Sequence, residues 1–66
     1  MNMIPVRSSA ISSIGYDPST QRMKIHFKHG STYDFCRVPA SVFDGFLAAS
    51  SKGSYYDRYI RDRYQC

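Results

Sequence analysis

RMKIHFKHGSTYDF, residues 22–35, decides the fold. Met23, Ile25 and Phe27 alternate without a break with Arg22, Lys24, His26 and Lys28. A period of two is that of a β-strand with one apolar and one cationic face. His29-Gly30-Ser31 reads as a turn, Thr32 to Val38 as the returning strand, and Pro39 as its stop. Two registers compete. A two-residue turn at His29-Gly30 pairs Phe27 with Thr32 and sets Tyr33 and Phe35 beside the lysines. That surface is of the kind on which some sheets stack RNA bases, but it buries Asp34. A three-residue loop ending at a left-handed Gly30 pairs Phe27 with Ser31 instead. Tyr33 and Phe35 then join the apolar face and Asp34 joins the cations. Burying an unpaired carboxylate costs several kcal/mol, so the three-residue loop is predicted.

Upstream, Asp17-Pro18-Ser19-Thr20 is a type I turn signal. Ile11 to Tyr16 is the preceding strand. Ile11 and Ile14 have opposite parity, and a bulge near Gly15 would bring both to one face. Met1 to Ser9 reads as a loose arm. Downstream, Val42, Phe43, Phe46 and Leu47 form an apolar helical stripe, predicting a helix over about Ala40 to Ser50. Gly45 inside it costs about 1 kcal/mol relative to Ala, which a close approach to the sheet would explain. Gly53 is expected to end this helix as a left-handed C-cap, and Ser54 with Asp57 to cap the next. From Ser54 to Tyr64 the residues Tyr56, Tyr59, Ile60, Arg63 and Tyr64 recur at helical spacing, with Asp57–Arg61 and Arg58–Asp62 as flanking i,i+4 pairs. The expected class is α+β: a single domain, residues 1–66, with a three-stranded antiparallel β-meander followed by two helices packed on one face.

Sixty-six residues bury a modest core. The net charge is +4 and glutamate is absent, a balance that suits an anionic partner such as RNA, DNA or a nucleotide. Cys36 and Cys66 are the only cysteines. Cys66 closes the sequence, where chains fray, so both are expected as free thiols in a reducing cytoplasm. Met1 to Ala10 has no apolar core of a signal peptide, and no apolar run approaches the roughly 20 residues of a membrane span.

In this layout the sequence resembles the KTSC family, a short domain named after the C-terminus of some lysyl-tRNA synthetases. The features are Ile14-Gly15-Tyr16-Asp17, Met23-x-Ile25-x-Phe27-x-x-Gly30, Tyr33-x-Phe35, Val38-Pro39, Ala49-x-Ser51-x-Gly53 and Tyr55-Tyr56-x-x-Tyr59-Ile60-Arg61-x-x-Tyr64. The family's Tyr-x-Tyr motif has Phe35 here as its second member. The resemblance implies the fold, a stand-alone bacterial or phage protein and a suggested RNA-binding role; it supplies no catalytic residue.

The residues offer several candidate sites. Ser51, Lys52, Gly53 and Ser54, at a helix N-terminus, could hold a phosphate, although the same residues make an ordinary helix junction. Arg22, Lys24, His26 and Lys28 lie on alternate strand positions about 6.6 Å apart, near the phosphate spacing of an extended nucleic acid; solvated lysines are the plainer alternative. Arg58, Arg61 and Arg63 add cations on the last helix. Tyr56, Ile60 and Tyr64 read as core, whereas Tyr55 and Tyr59 could stack on a base. His26 and His29 lack a third metal ligand, and neither cysteine has a base to activate it. No catalytic residue, metal or cofactor is expected.

The sequence thus predicts a non-enzymatic, nucleic-acid-associated module that binds RNA through phosphates with little sequence preference. Two other classes fit: a protein-interaction or self-assembly module, acting as a homo-oligomer or with a protein partner, and a phage-type protein that sequesters a small nucleotide. A membrane is not among the expected partners.

Overall fold

The computed structural model describes all of residues 1–66. Its strands are β1 (Met3–Pro5), β2 (Ile11–Asp17), β3 (Arg22–Phe27) and β4 (Thr32–Phe35), joined in that order in one antiparallel sheet. Helix α1 (Ala40–Ala48) follows, then α2 (Lys52–Tyr55), which runs directly into a π-helical turn, Tyr56–Ile60. No helix is long and apolar enough to cross a membrane.

The predicted β3–β4 register is the one formed. Met23 lies opposite Phe35, Ile25 opposite Tyr33, and Lys24 opposite Asp34. The Phe27 N–H donates to the Ser31 carbonyl at 2.9 Å, closing the loop Lys28-His29-Gly30. Gly30 sits at φ +110°, open to glycine but not to a residue with a Cβ. Asp34 accordingly stays on the outer face, 3.8 Å from the Lys24 amine. At the other hairpin, Asp17 accepts from the Ser19 N–H at 3.0 Å and the Ser19 hydroxyl at 2.7 Å. These bonds hold its carboxyl below the usual carboxylate range, the hydroxyl contributing most.

Several details differ from expectation. The bulge exists but lies at Ser12, because Ile11 pairs with Phe27 and Ser13 with His26. The sheet has four strands rather than three, because Met3–Pro5 of the expected loose arm pairs with Gly15 to Ser13. Val6 donates to the Ser12 carbonyl, so by alternation the even residues of this arm face β2 and Pro5 turns its donorless nitrogen to the open edge. Gly15 serves this arm: a Cβ there would meet the Met3 and Met1 side chains at 2.7 and 2.9 Å.

The inner sheet face and both helical segments enclose the core. Ile11, Ile14, Met23, Ile25, Phe27 and Phe35 pack with Val38, Phe46 and Ile60. Tyr16 closes one end; its ring stacks on Phe43 at 4.7 Å and its hydroxyl donates to the Val38 carbonyl at 2.6 Å.

Helix α1 ends at Ala48, and its cap is the extended Ala49, not Gly53. Gly53 has an ordinary helical backbone inside α2, whose cap is Ser51: the Ser51 hydroxyl oxygen accepts the Ser54 N–H. Gly45 is required by a helix rather than by the sheet, since a Cβ there would run into the Tyr55 hydroxyl. The second helix stops at Ile60, four residues short of Tyr64. Arg61 donates to the Tyr56 carbonyl and then leaves the helix, and Asp62 turns the chain at φ +61°. Asp57–Arg61 forms at 3.6 Å. Arg58–Asp62 does not, and Asp62 lies 4.0 Å from Arg61 instead.

That turn sends Arg63 to Cys66 back along β4. The Cys36 N–H donates to the Tyr64 carbonyl at 2.8 Å, Gln65 bridges Phe35, and Cys36 and Cys66 form a disulfide with their Cα atoms 4.9 Å apart. The expected free thiols are therefore joined. The last residues do not fray, because they are laid against a strand edge.

Candidate functional site

The predicted phosphate-binding residues divide between two sides of the molecule. Arg22, Lys24 and His26 stand on the outer sheet face, opposite the face that carries the helices, and Lys28 follows in the hairpin loop. Their positive field is reduced by Asp34 against Lys24 and interrupted by Met1 and Met3 over Gly15. Lys52, Gly53, Ser54, Arg58, Arg61 and Arg63 belong to the helical side. One short ligand cannot touch both groups at once.

On the helical side, the α1–α2 junction leaves a shallow depression of about 250 Å³. Ser51, Ser54, Tyr55, Arg58 and Tyr59 line it. The placement follows from local sequence. The Ser51 cap fixes the first turn, and Arg58 and Tyr59 follow Ser54 and Tyr55 at i,i+4 on the same helical face. The Ser51 hydroxyl donates to the Ser54 hydroxyl at 3.1 Å. Arg58 is exposed and makes no ion pair, in contrast to Arg61, which is held by Asp57 and Asp62.

Lys52 and Gly53 do not line this depression. The Lys52 amine turns back to donate to the Ala49 carbonyl at the end of α1, and the Ser54 N–H is occupied by Ser51. The expected cradle of lysine and backbone N–H groups is thus largely satisfied within the junction itself. Tyr55 is also committed. Its ring stacks on Phe46 at 5.5 Å, and its hydroxyl donates to the Val42 carbonyl at 3.0 Å. Burial, with the nearby Tyr59 and Tyr64 hydroxyls, raises its pKa. Tyr59 is the tyrosine left available: it is 51% exposed, with its ring 4.7 Å from Tyr55. Arg63 is exposed beyond the turn at Asp62 and lies outside the depression.

The arrangement can therefore offer a guanidinium, two hydroxyls and one aromatic face to an anionic, ring-bearing ligand. The sequence grouped Ser51 with Lys52, Gly53 and Ser54, but it pointed to Ser54 as the cap, whereas the cap is Ser51. No group of three or more His, Cys or Asp residues could hold a metal ion.

Comparison with known proteins places this geometry. The pattern of the KTSC domain matches residues 7–64. A protein of Tsukamurella paurometabola is 43% identical over 63 residues, covering 96% of this chain and 94% of its own. A lysine–tRNA ligase of Nostoc punctiforme is 30% identical over 63 residues, which are 11% of the ligase. The crystal structure of a KTSC domain protein from Yersinia pestis superposes with a TM-score of 0.95 at 38% identity, covering 98% of this chain and 92% of the other.

Proposed function

The chain belongs to the KTSC domain family, and from that premise we propose that it is a small, non-enzymatic RNA-associated module that grips phosphates. The observation that carries the proposal is the depression beside α2, where unpaired Arg58 meets the Ser51 and Ser54 hydroxyls and the half-exposed ring of Tyr59. A guanidinium and hydroxyls suit phosphate oxygens. An adjacent aromatic face suits an unstacked base, a contact worth about 1–3 kcal/mol per base.

Charge supports the reading. Of the nine lysines and arginines, Lys24 and Arg61 are ion-paired and Arg7, Arg22, Lys28, Arg37, Lys52, Arg58 and Arg63 are not. Kinship supports it as well, because a similar segment makes up 11% of a lysine–tRNA ligase, an enzyme that by its name acts on a tRNA. Arg22, Lys24 and Lys28 are assigned to long-range attraction rather than to the site.

Fluorescence anisotropy with a labelled single-stranded RNA tests this. Arg58→Ala with Tyr59→Ala is expected to weaken binding by about tenfold or more, the equivalent of 1.4 kcal/mol. Lys24→Ala with Lys28→Ala is expected to lower affinity less. Equal losses from the two pairs, or no loss from the first, would remove the site from α2.

A further inference from the structure

Residues Arg61 to Cys66 lie over the molecule as a strap. The nine residues of the core run from Ile11 to Ile60, and none comes from the strap. Arg61, Asp62, Arg63, Gln65 and Cys66 are exposed, and Tyr64 is half-buried against the core. The chain enters the strap through Asp62 at φ +61°, a left-handed conformation that costs free energy for a residue with a Cβ. Few non-covalent ties repay that cost. The Cys36 N–H donates to the Tyr64 carbonyl at 2.8 Å, Gln65 bridges Phe35, and the Arg37 guanidinium reaches the Gln65 carbonyl at 3.5 Å. Such bonds give little net return after exchange with water, whereas ordering six residues costs conformational entropy at each one. The Cys36–Cys66 disulfide is what keeps the strap seated.

Its two sulfurs belong to unlike surroundings. Cys66 is exposed and lines the larger cleft of the molecule, about 460 Å³; Cys36 is half-buried and does not line it. The strap supplies one side of this cleft with Asp62, Gln65 and Cys66, and Tyr33, Phe35 and Tyr56 form the aromatic side. Phe35 is only 6% exposed beneath the strap and meets Tyr56 edge-on at 6.1 Å. Arg37 follows Cys36 directly and makes no ion pair. A neighbouring cation favours the thiolate form of a cysteine, the form in which it departs from a disulfide.

We propose that the Cys36–Cys66 disulfide is a redox latch: a dithiol opens it at Cys66, and the strap then leaves β4 while the rest of the fold stays in place. A thiolate of the dithiol attacks the exposed Cys66 sulfur from the cleft. The bond between Cys66 and Cys36 breaks, Cys36 departs as a thiolate, and Cys66 is left in a mixed disulfide with the reductant. The second thiol of the reductant, as its thiolate, attacks the reductant sulfur of that mixed disulfide, and Cys66 departs in turn. Two electrons pass to the two cysteines, which take up the two protons given by the dithiol, and the dithiol ends as its own disulfide. Exposed links are the kind that exchange in this way. Once unlatched, Asp62 relaxes from its left-handed backbone, the Cys36 N–H loses its partner, and the Phe35 and Tyr56 rings open to solvent. The oxidised protein thus covers an aromatic surface that the reduced protein uncovers. Ser51, Arg58 and Tyr59 do not line this cleft, so the inference is independent of the phosphate site.

The test compares backbone amide spectra of the oxidised protein, the protein in excess dithiothreitol, and Cys36→Ser with Cys66→Ser. Dithiothreitol is expected to move the Asp62 to Cys66 signals, with that of Cys36, to random-coil positions, while Ile14, Ile25 and Phe46 keep theirs. The double variant should reproduce the reduced spectrum, and removal of dithiothreitol in air should restore the oxidised one. Brief reaction with the monothiol 2-mercaptoethanol, quenched in acid, should place the adduct on Cys66. Loss of dispersion throughout the reduced spectrum would make the link a staple of the whole fold. An unchanged spectrum would show that the strap stays seated without it. A disulfide that survives excess dithiothreitol in the folded protein would show its sulfurs to be shielded, and an adduct on Cys36 would reverse the point of attack. Each of these results would overturn the proposal.

Discussion

Separating Cys36 from Cys66 should cost this protein much of its stability. The link closes a loop across a sequence separation of 30 residues that contains α1, α2 and the π turn. In the chain-entropy treatment, a loop of that length restricts the unfolded state by about 12 cal/mol/K, or about 3.6 kcal/mol at 25 °C. A domain of 66 residues has roughly 3–10 kcal/mol of stability in all. The one link is thus a third or more of the total, as in other scaffolds too small to rely on a core alone. The remaining ties of the last residues are few: Cys36 N–H to Tyr64, the weak Arg37 guanidinium to Gln65 bond at 3.5 Å, and the Gln65–Asp62 contact. The assay is urea denaturation of oxidised protein, of protein in excess dithiothreitol, and of Cys36→Ser with Cys66→Ser. With a slope near 1 kcal/mol/M, as small proteins show, the last two midpoints should coincide and fall by about 3.6 M. Three equal midpoints would refute the reasoning. So would free thiols titrating in the unreduced, unfolded protein.

Other expectations can be checked with the same denaturation assay. Phe35→Ala should cost about 3–5 kcal/mol, as buried aromatic truncations do, while Asp34→Ala should change stability by less than about 1 kcal/mol, because its Lys24 pair is exposed; similar midpoints for the two would return the rejected hairpin register. The two helical glycines should behave oppositely. Gly53→Ala, with open space around the new methyl, should gain up to about 1 kcal/mol, and Gly45→Ala, which collides with the Tyr55 ring, should lose about 1–3 kcal/mol; a loss at Gly53 would mean that its backbone is not helical. Burial raises the Tyr55 and Tyr56 pKa values above the unfolded 10.0. Their contribution is therefore complete below pH 10 and lost as pH rises through the folded values. Tyr55→Phe should flatten that alkaline decline, and a wild-type midpoint that stays level above pH 10 would contradict it.

The sheet was largely legible in the sequence because one strong rule decided it. The alternation from Arg22 to Lys28 fixed β3, and the cost of burying Asp34 fixed the register of β4. What was missed depends on long-range contacts. Met3–Pro5 shows no alternation and contains a proline. It is a strand only because its partner β2 exists and because Pro5 happens to face the open edge. The disulfide depends on a π turn and on Asp62 in a left-handed conformation, which together reverse the chain onto β4. Helical periodicity, which continues smoothly to Tyr64, gave no sign of either. Tyr64 still reaches the core margin as predicted, by way of the returning chain rather than a helix. At the candidate site, counting cations found Arg58 but could not separate it from Arg61 and Arg63. Only the ion pairs of Arg61, the turn before Arg63 and the inward bond of Lys52 single it out.

The phosphate-binding reading is tested most directly by the salt dependence of wild-type affinity for single-stranded RNA. Each phosphate neutralised contributes about −0.7 to the slope of log K against log salt. Arg58 and a few flanking cations should therefore give a slope of about −1 to −3, nearly the same for unrelated RNA sequences. Arg58→Ala should make that slope shallower by about 0.7. No binding at low salt, or an affinity indifferent to salt, would contradict the account.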